Sequence, residues 1–179
     1  MDFPLVGVDL CLRPWQASDA IAFQEAALES ANSVGRWMNW CHPGYTLADA
    51  EQWLAQCIDQ LTRGEAYELG IFSGDGHVLY GGIGINRIQQ LHKVANVGYW
   101  VRESRQQHGI ALDALRLAIN FGLHELHMQR LEIVTAEDNM PSRKLAEKVG
   151  AVFEGLQRKR LLVHGQPVTA AMYAVCADD

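Results

Sequence analysis

The sequence predicts a single α/β domain, in which a mixed sheet of about seven strands carries helices on its faces. The chain has 179 residues, a length that fits one domain able to bury roughly 70% of its unfolded surface. Hydrophobic residues make up 49% and charged residues 20%, as is usual for a globular protein. Strand-like and helix-like segments alternate in the middle of the chain, and hairpin-like pairs flank them, which favours a mixed sheet.

The N-terminal third is predicted to form a strand and two helices. Residues 8–13 alternate apolar and polar side chains, as a half-buried strand does. Ser18 is expected to cap the helix that follows. Thr46 and Asp49 predict the capped start of a second helix, and Gly64 predicts its end.

From residue 66 onward, strands are predicted to alternate with helices and to close on a second hairpin. The predicted strands are residues 66–73, 77–86, 94–101, 130–136, 151–163 and 167–175, and the predicted helices are about 109–126 and 140–149. The turn-like stretches S-G-D-G and H-G-Q-P join the two hairpins. Pro141 and Gly150 mark the two ends of the last helix.

Charge and cysteine content restrict the class of protein. Fifteen basic and 21 acidic residues give a net charge of −6, which argues against a general nucleic-acid binder and suits a cationic substrate. The four cysteines are scattered without a C-x-x-C pair, as thiols of a reducing compartment are. No signal peptide is visible, and no run approaches the ~20 apolar residues of a membrane span. We therefore expect a cytoplasmic protein without a nucleic-acid or membrane partner.

The turn R-Q-Q-H-G-I-A, residues 105–111, is the first candidate for a binding site. It joins a predicted strand to a predicted helix, and the N–H groups at a helix N-terminus have no acceptor within the helix. Gly109 would let a ligand approach closely, and Ala111 keeps the next position small. These residues alone favour a plain connection and a phosphate-binding turn equally. The glycine cluster at 81–84 lacks the dinucleotide-binding spacing and is expected to be structural.

This turn and five further segments resemble a known family. The turn matches the Q/R-x-x-G-x-G/A signature of the GNAT superfamily of N-acetyltransferases, with Gln106, Gly109 and Ala111 in the defining positions. The further segments are similar to the RimJ/RimL branch, the ribosomal-protein N-terminal acetyltransferases. They are L-R-P-W, V-G-Y-W-V, R-L-E-I-V-T-A-E-D-N-M-P-S, L-A-E-K-V-G-A-V-F-E-G and H-G-Q-P-V-T-A-A-M-Y, within residues 10–173. The resemblance implies a mostly antiparallel sheet with helices on both faces, whose fourth and fifth strands splay apart around acetyl-CoA.

The resemblance also implies roles for single residues. Backbone amides of the turn would hold the CoA pyrophosphate; they belong to Gln106, Gln107, His108, Gly109, Ile110 and Ala111. Val101 would pair with the pantetheine arm near the thioester, and Asn139 would hydrogen-bond that arm. Ser142 is the best candidate to protonate the leaving CoA thiolate. For both Asn139 and Ser142, capping of the last helix is the alternative.

The chain departs from the family pattern at two positions that handle protons. Many relatives carry a tyrosine acid near the position of Ala146, and many carry a glutamate where this chain has Asn96. The general base is therefore unassigned. Glu68, on a neighbouring predicted strand, could act as the base through a water molecule, and a salt bridge or a surface position is the alternative.

Aromatic residues between the first two helices are candidates for the acceptor site. Trp37, Trp40 and Tyr45 are expected either to pack in the core or, as the resemblance implies, to form with Glu68 a wall of the acceptor pocket. His124 and His127 lack the H-E-x-x-H spacing, so no metal is expected.

The basic run Q-R-K-R, residues 157–160, is expected to be a solvated strand face. Contact with the CoA phosphates or with an acidic acceptor is the alternative.

We therefore expect one domain over residues 1–179 that acts as an acetyl-CoA-dependent N-acetyltransferase. Amine and thioester would react directly in a ternary complex, without a cysteine nucleophile. The first candidate acceptor is the N-terminal α-amine of a protein or peptide. A small amine (a polyamine, amino acid or antibiotic) is the second. The missing tyrosine and glutamate leave a non-catalytic CoA-binding protein as a third reading, and the resemblance makes a homodimer a further expectation.

Overall fold

A computed structural model describes residues 2–177. Its strands are β1 (Leu5–Val6), β2 (Leu10–Pro14), β3 (Tyr67–Ser73), β4 (Leu79–Gln89), β5 (Val94–Val101), β6 (Arg130–Ala136), β7 (Val152–Val163) and β8 (Gln166–Cys176). Its α-helices are α1 (Ala20–Glu29), α2 (Leu47–Arg63), α3 (Ile110–Asn120) and α4 (Met140–Lys148). Within this part of the chain the strands form one sheet in the order β1-β2-β3-β4-β5-β6-β8-β7. Neighbouring strands are antiparallel except β5 and β6, which are parallel. The predicted mixed, mostly antiparallel sheet is confirmed.

Two local features differ from the predicted elements. The sheet has an eighth strand, β1, whose two residues are too few to show an alternating pattern. The long predicted third helix is divided, because α3 ends at Asn120 and continues as a π-helical turn over Phe121–Glu125.

The ends of the first two helices test the predicted caps. The N–H of Asp49 donates to Thr46 Oγ1 at 3.2 Å, so the predicted capping box of α2 is confirmed. Gly64 ends α2 with a left-handed φ of 67°, as predicted. The prediction for Ser18 is wrong. The carboxylate at the start of α1 is that of Asp19, which accepts the N–H of Gln16 at 2.8 Å.

The helices cover both faces of the sheet, as predicted. On one face α3 and α4 pack over a core that includes the fully buried Leu115. On the other face α1 and α2 bury Phe23 and Leu54. Adjacent strand residues such as Ile71 and Phe72 belong to opposite cores, as the alternation of a strand requires. Each such buried side chain contributes about 1.5–3 kcal/mol through the hydrophobic effect, so both helix layers stabilise the sheet.

The parallel pair β5 and β6 separates after three residue pairs. Their register runs from Val94↔Arg130 to Asn96↔Glu132. Beyond that point β5 stays paired with β4 as far as Val101, and β6 stays paired with β8. Residues 97–101 therefore have a partner strand on one side only. This is the predicted splay, since β5 and β6 are the fourth and fifth strands when the short β1 is not counted.

Candidate active site

Two cavities adjoin the part of β5 that lacks a partner on the β6 side. The larger is a groove of about 720 Å³ in the splay between β5 and β6. The smaller is a pocket of about 490 Å³ on the face covered by α1 and α2. Four residues line both cavities: Met38, Gly98, Tyr99 and Trp100. Ligands bound in the two cavities would therefore meet at β5.

The turn at residues 105–111 forms one end of the groove. The groove is lined by Gln106, Gln107, Gly109, Ile110 and Ala111. The side chain of His108 is exposed instead, with Nδ1 2.6 Å from the carbonyl oxygen of Gln106.

Gly109 shapes the N-terminus of α3. Its φ of 81° lies in the left-handed region, and a Cβ built there would meet no heavy atom within 4 Å. Its carbonyl accepts the N–H groups of Leu112 and Asp113 at 2.9 and 3.2 Å. The N–H groups before them have no acceptor in the helix. Several N–H groups without an acceptor in the helix thus lie at the positive end of a helix dipole, next to open space at Gly109, which is an arrangement that binds anions.

The side chain of Gln106 supports this turn from within the protein. Its Nε2 donates to the carbonyl oxygen of Val101 at 2.9 Å and to Ser33 Oγ at 3.3 Å. Val101 is buried and also pairs with Gly81 of β4. The amide of Gln106 therefore fixes the turn to the end of β5 and to the segment after α1.

An ion pair also connects the end of α1 to the segment between β5 and the turn. The guanidinium of Arg102 pairs with Glu29 at the end of α1, and Glu29 also accepts the N–H of Ser104 at 2.7 Å. The hydrogen bonds from Arg102 lower the pKa of Glu29 to about 2. This ion pair anchors α1 beside the entrance to the turn.

At the start of α4, the structure separates the roles of Asn139 and Ser142. Asn139 is the N-cap, and its Oδ1 accepts the N–H of Ser142 at 3.3 Å. Ser142 does not cap the helix. Its hydroxyl lies 2.9 Å from the hydroxyl of Tyr99. Both Asn139 and Ser142 line the groove.

Tyr99 is a residue that the sequence analysis missed. Burial raises the pKa of its hydroxyl to about 12, so the group is a neutral donor at physiological pH. Strand alternation in V-G-Y-W-V places Tyr99 against the α3–α4 core and Trp100 against the other core. The sequence shows that alternation, but it does not show the contact between Tyr99 and Ser142, which are 43 residues apart.

The smaller pocket is walled by aromatic rings. Trp40 and Tyr45 both line it, and their ring centroids are 5.7 Å apart. The ring of Trp40 also lies 5.2 Å from that of Trp100. Trp40 and Tyr45 therefore both pack in the core and form the wall of the pocket. Trp37 lies apart from them, in the groove, with the guanidinium of Arg36 over its ring.

Glu68 stands half-buried in the floor of the pocket. Its Oε1 accepts a hydrogen bond from Asn86 Nδ2 at 2.7 Å. Burial raises the pKa of Glu68 above its ordinary value, and the bond from Asn86 opposes that rise. Within residues 2–177 its carboxylate forms no ion pair, so the salt-bridge alternative is wrong. The strand glycines Gly82 and Gly84 line the same floor, so part of the 81–84 cluster borders the pocket as well as pairing in the sheet.

The two cavities carry opposite charge. The cationic residues that line the groove are Arg105, Lys144 and Lys148, and its lining contains no Asp or Glu. The pocket is lined by Asp49 and Glu68, and its lining contains no Lys or Arg. An anion therefore suits the groove and a cation suits the pocket. The three groove cations were not recognised in the sequence, because only the fold brings Arg105 to the same groove as Lys144 and Lys148 of α4.

A contact joins two distant segments that each contribute residues to the groove lining. The backbone N–H of His164, at the tip of the β7–β8 hairpin, donates to Asn39 Oδ1 at 2.7 Å. Its ring Nε2 lies 2.8 Å from the carbonyl oxygen of Gly35. Next to this tip, Leu161 and Val163 line the groove. The hairpin is thereby attached to the segment between α1 and α2.

The remaining sequence candidates lie away from both cavities. The run 157–160 is exposed on β7, as predicted for a solvated face, and it does not line the groove. His124 and His127 are exposed. Among the described residues there is no cluster of three or more His, Cys, Asp or Glu side chains that could hold a metal ion. In the same part of the chain, no helix has the length and apolar character needed to cross a membrane.

Comparisons with known proteins agree on one family. A family model described as an acetyltransferase (GNAT) domain matches residues 9–152. The ribosomal-protein-serine acetyltransferase of Escherichia coli (strain K12) is 33% identical over 116 residues, which are 65% of this chain and 64% of that protein. The Bacillus subtilis (strain 168) protein YdaF, named as a candidate ribosomal N-acetyltransferase, is 27% identical over 173 residues, covering 95% and 92% of the two chains. A solved structure from Vibrio cholerae, of a candidate ribosomal-protein-serine acetyltransferase, is 29% identical with a TM-score of 0.86 and covers 98% of each chain.

Proposed function

The chain belongs to the acetyltransferase (GNAT) family, and we propose that this acetyl-CoA-dependent N-acetyltransferase modifies the N-terminal α-amine of a protein or peptide. The observation that carries the proposal is the opposite charge of the two cavities that meet at β5. An anionic acetyl donor suits the cationic groove, and a substrate ammonium suits the acidic pocket. Their meeting point is where an acetyl group would pass from one to the other.

The groove fits CoA in shape and charge. The free N–H groups around Gly109 suit the pyrophosphate, because helix N-termini bind phosphates through backbone donors. Arg105, Lys144 and Lys148 add positive charge for the phosphate groups. Residues 97–101 offer the unpaired side of a strand to an extended arm.

The pocket favours a peptide over a free amino acid. A free amino acid carries a carboxylate next to its amine, and the pocket lining contains no Lys or Arg to pair with it. In a peptide the same carboxyl is a neutral amide. The acidic pair of Asp49 and Glu68 also suits a polyamine, which remains the second candidate acceptor. The E. coli relative is named for acetylation of a ribosomal protein, and this supports the peptide.

The chemistry needs alignment of two substrates and control of protons. The amine attacks the thioester carbonyl, and the thiolate of CoA leaves and takes up a proton. We assign that proton donation to Ser142, with Tyr99 behind it, because their hydroxyls lie 2.9 Å apart at the edge of the groove. The pair fills the role of the tyrosine that is missing at Ala146.

The buried cysteines are not needed as nucleophiles. Burial raises the pKa of Cys41 to about 11 and raises that of Cys57 further, so neither is a thiolate at neutral pH. We therefore expect direct transfer rather than an acetyl-enzyme.

The test is release of CoA thiol from acetyl-CoA with a panel of amines. The panel contains peptides with free or blocked N-termini, a polyamine, an aminoglycoside and free amino acids. We expect turnover with free N-termini, little with the blocked peptides, and intersecting double-reciprocal plots for a ternary complex. If only the polyamine is acetylated, the acceptor is a polyamine and the peptide hypothesis is refuted. Tight CoA binding without thiol release for any amine would leave a non-catalytic CoA-binding protein.

A further inference from the structure

A carboxylate and two side-chain amides form a continuous chain across three strands, and the carboxylate and the first amide line the pocket. Glu68 is on β3, Asn86 on β4 and Asn96 on β5. Asn86 Nδ2 donates to Glu68 Oε1 at 2.7 Å, and Asn96 Nδ2 donates to Asn86 Oδ1 at 3.0 Å. Asn86 and Asn96 are direct partners in the β4–β5 register. Asn86 therefore donates to the carboxylate and accepts from Asn96, and the chain ends on the carboxylate.

The backbone leaves space for this carboxylate. Gly84 stands opposite Glu68 in the β3–β4 register. A Cβ built on Gly84 would lie 1.8 Å from Glu68 Oε2 and 2.6 Å from Oε1, so any side chain there would displace the carboxylate. Beyond Gly84 in the same row comes Gly98, which lines both cavities. The row of small residues keeps an open path from Glu68 to β5.

We infer that Glu68 is the general base of the acetyl transfer, and that Asn86 and Asn96 are positioning residues that hold it. This inference rests on the proposed function. Glu68 takes one proton from the acceptor ammonium, directly or through one water molecule, and the neutral amine attacks the thioester carbonyl. The C–N bond forms and the C–S bond breaks. The second proton lost by the nitrogen balances the one that the CoA thiolate gains, and Glu68 then returns its proton to solvent.

The position explains a departure from the family pattern. Many relatives carry a glutamate where this chain has Asn96. Here the carboxylate is that of Glu68 on β3, two strands away from β5. Asn86 and Asn96 connect it by hydrogen bonds to the position where those relatives have their glutamate. A carboxylate on the floor of a pocket without Lys or Arg also attracts the ammonium that it deprotonates.

The surroundings of Glu68 suit a base. Burial raises its pKa above 4.5 and so brings it closer to neutral pH. The titratable groups that face it or the pocket from other elements are Cys57 and Asp49 of α2, His42 and Tyr45 of the segment before α2, and Tyr99 of β5. None of them is a Lys or Arg that would fix Glu68 in a salt bridge.

The test compares pH profiles of kcat/KM for the best acceptor of the amine panel. Glu68→Gln keeps an oxygen that can accept the bond from Asn86 but cannot take a proton. We expect kcat/KM at neutral pH to fall roughly 100-fold or more, with the Kd for CoA unchanged. The wild-type profile should level off above the pKa of Glu68. The variant should instead rise about tenfold per pH unit up to the pKa of the acceptor amine, since only free amine can react.

The positioning residues have their own readout. Asn86→Ala removes the hydrogen bond that lowers the pKa of Glu68, so the acid limb of the profile should move to higher pH. Asn96→Ala should move it in the same direction by less. A role confined to folding would lower stability without moving the limb. Glu65→Gln, at an exposed carboxylate near the start of β3, is the control and should leave the profile unchanged.

The results of these assays distinguish a failure of the Glu68 inference from a failure of the proposed function. An active wild-type enzyme whose Glu68→Gln variant keeps both rate and profile overturns the inference alone. A wild-type enzyme that is inactive towards every amine overturns the proposed function, and the inference with it.

Discussion

Replacing Gly109 by valine should abolish CoA binding and cost little stability. Gly109 has a left-handed φ of 81° and free space where a Cβ would stand. Gly150, just after α4, has a φ of 86° and the same free space. It does not line either cavity. Gly150→Val is therefore a matched control, because it imposes the same backbone strain without touching the groove.

The expected loss of stability is small, and the expected loss of CoA affinity is large. A side chain in the left-handed region costs about 1–2 kcal/mol, which for a chain of this length lowers Tm by roughly 2–8 °C in both variants. At Gly109 the valine side chain also occupies the space in front of the free N–H groups. Loss of two charge-assisted hydrogen bonds at about 1.5–3 kcal/mol each removes about 3–6 kcal/mol. That raises the Kd for CoA by roughly 100- to 20,000-fold.

The assay is calorimetric titration with CoA and with pantetheine, which has no pyrophosphate. We expect Gly109→Val to lose affinity for CoA and to keep its affinity for pantetheine, while Gly150→Val binds both as the wild type does. Melting curves of the two variants confirm that the fold is retained. Equal CoA affinity for the two variants would refute the assignment of the turn as a pyrophosphate site.

Three further predictions concern other residues. Ser142→Ala and Tyr99→Phe should each lower kcat, with an expected loss of about 10- to 100-fold and an unchanged Kd for CoA; full activity in steady-state assays would argue against the proton-donor pair. Glu29→Gln should lower the free energy of unfolding at pH 7 by about 1–3 kcal/mol. The ion pair of Glu29 lowers its pKa from 4.5 to about 2, so its contribution is present above pH 4.5 and is lost as pH falls towards 2. Urea denaturation at pH 7 and pH 3 should thus show that the free energy of unfolding falls less in the variant than in the wild type. An equal fall in both proteins would contradict a stabilising role for the Glu29 ion pair. Gly84→Ala should displace the Glu68 carboxylate and lower kcat/KM for the acceptor without changing CoA affinity. An unchanged kcat/KM would show that the carboxylate can move without consequence.

Local signals in the sequence were sufficient for most of the fold. The capping box of Thr46 and Asp49 and the left-handed Gly64 bound α2 correctly, because these contacts join residues close in the chain. The run 94–101 was predicted with the bounds that β5 has. The cap of α1 was misassigned to Ser18, because Asp19 is held there by Arg13 of β2, a contact outside the helix.

The site was less predictable because its chemistry depends on register and on distant contacts. The turn at 105–111 could be recognised, since its residues are consecutive. The chain of Glu68, Asn86 and Asn96 exists only because three strands align, and no local pattern sets that alignment. For the same reason the bond between Tyr99 and Ser142 was not visible.

The splay of β5 has a consequence for the protein without its cosubstrate. On the β6 side of residues 97–101, one row of backbone N–H and C=O groups lacks a strand partner, although the carbonyl of Val101 is bound by Gln106. An edge of this kind promotes pairing with other chains. Here the edge lies inside a groove that Leu161 and Val163 of the β7–β8 hairpin also line, so it is more enclosed than the outer edge of a sheet. A ligand that fills this row would complete the sheet, and the melting temperature of the enzyme should then follow the CoA concentration around it.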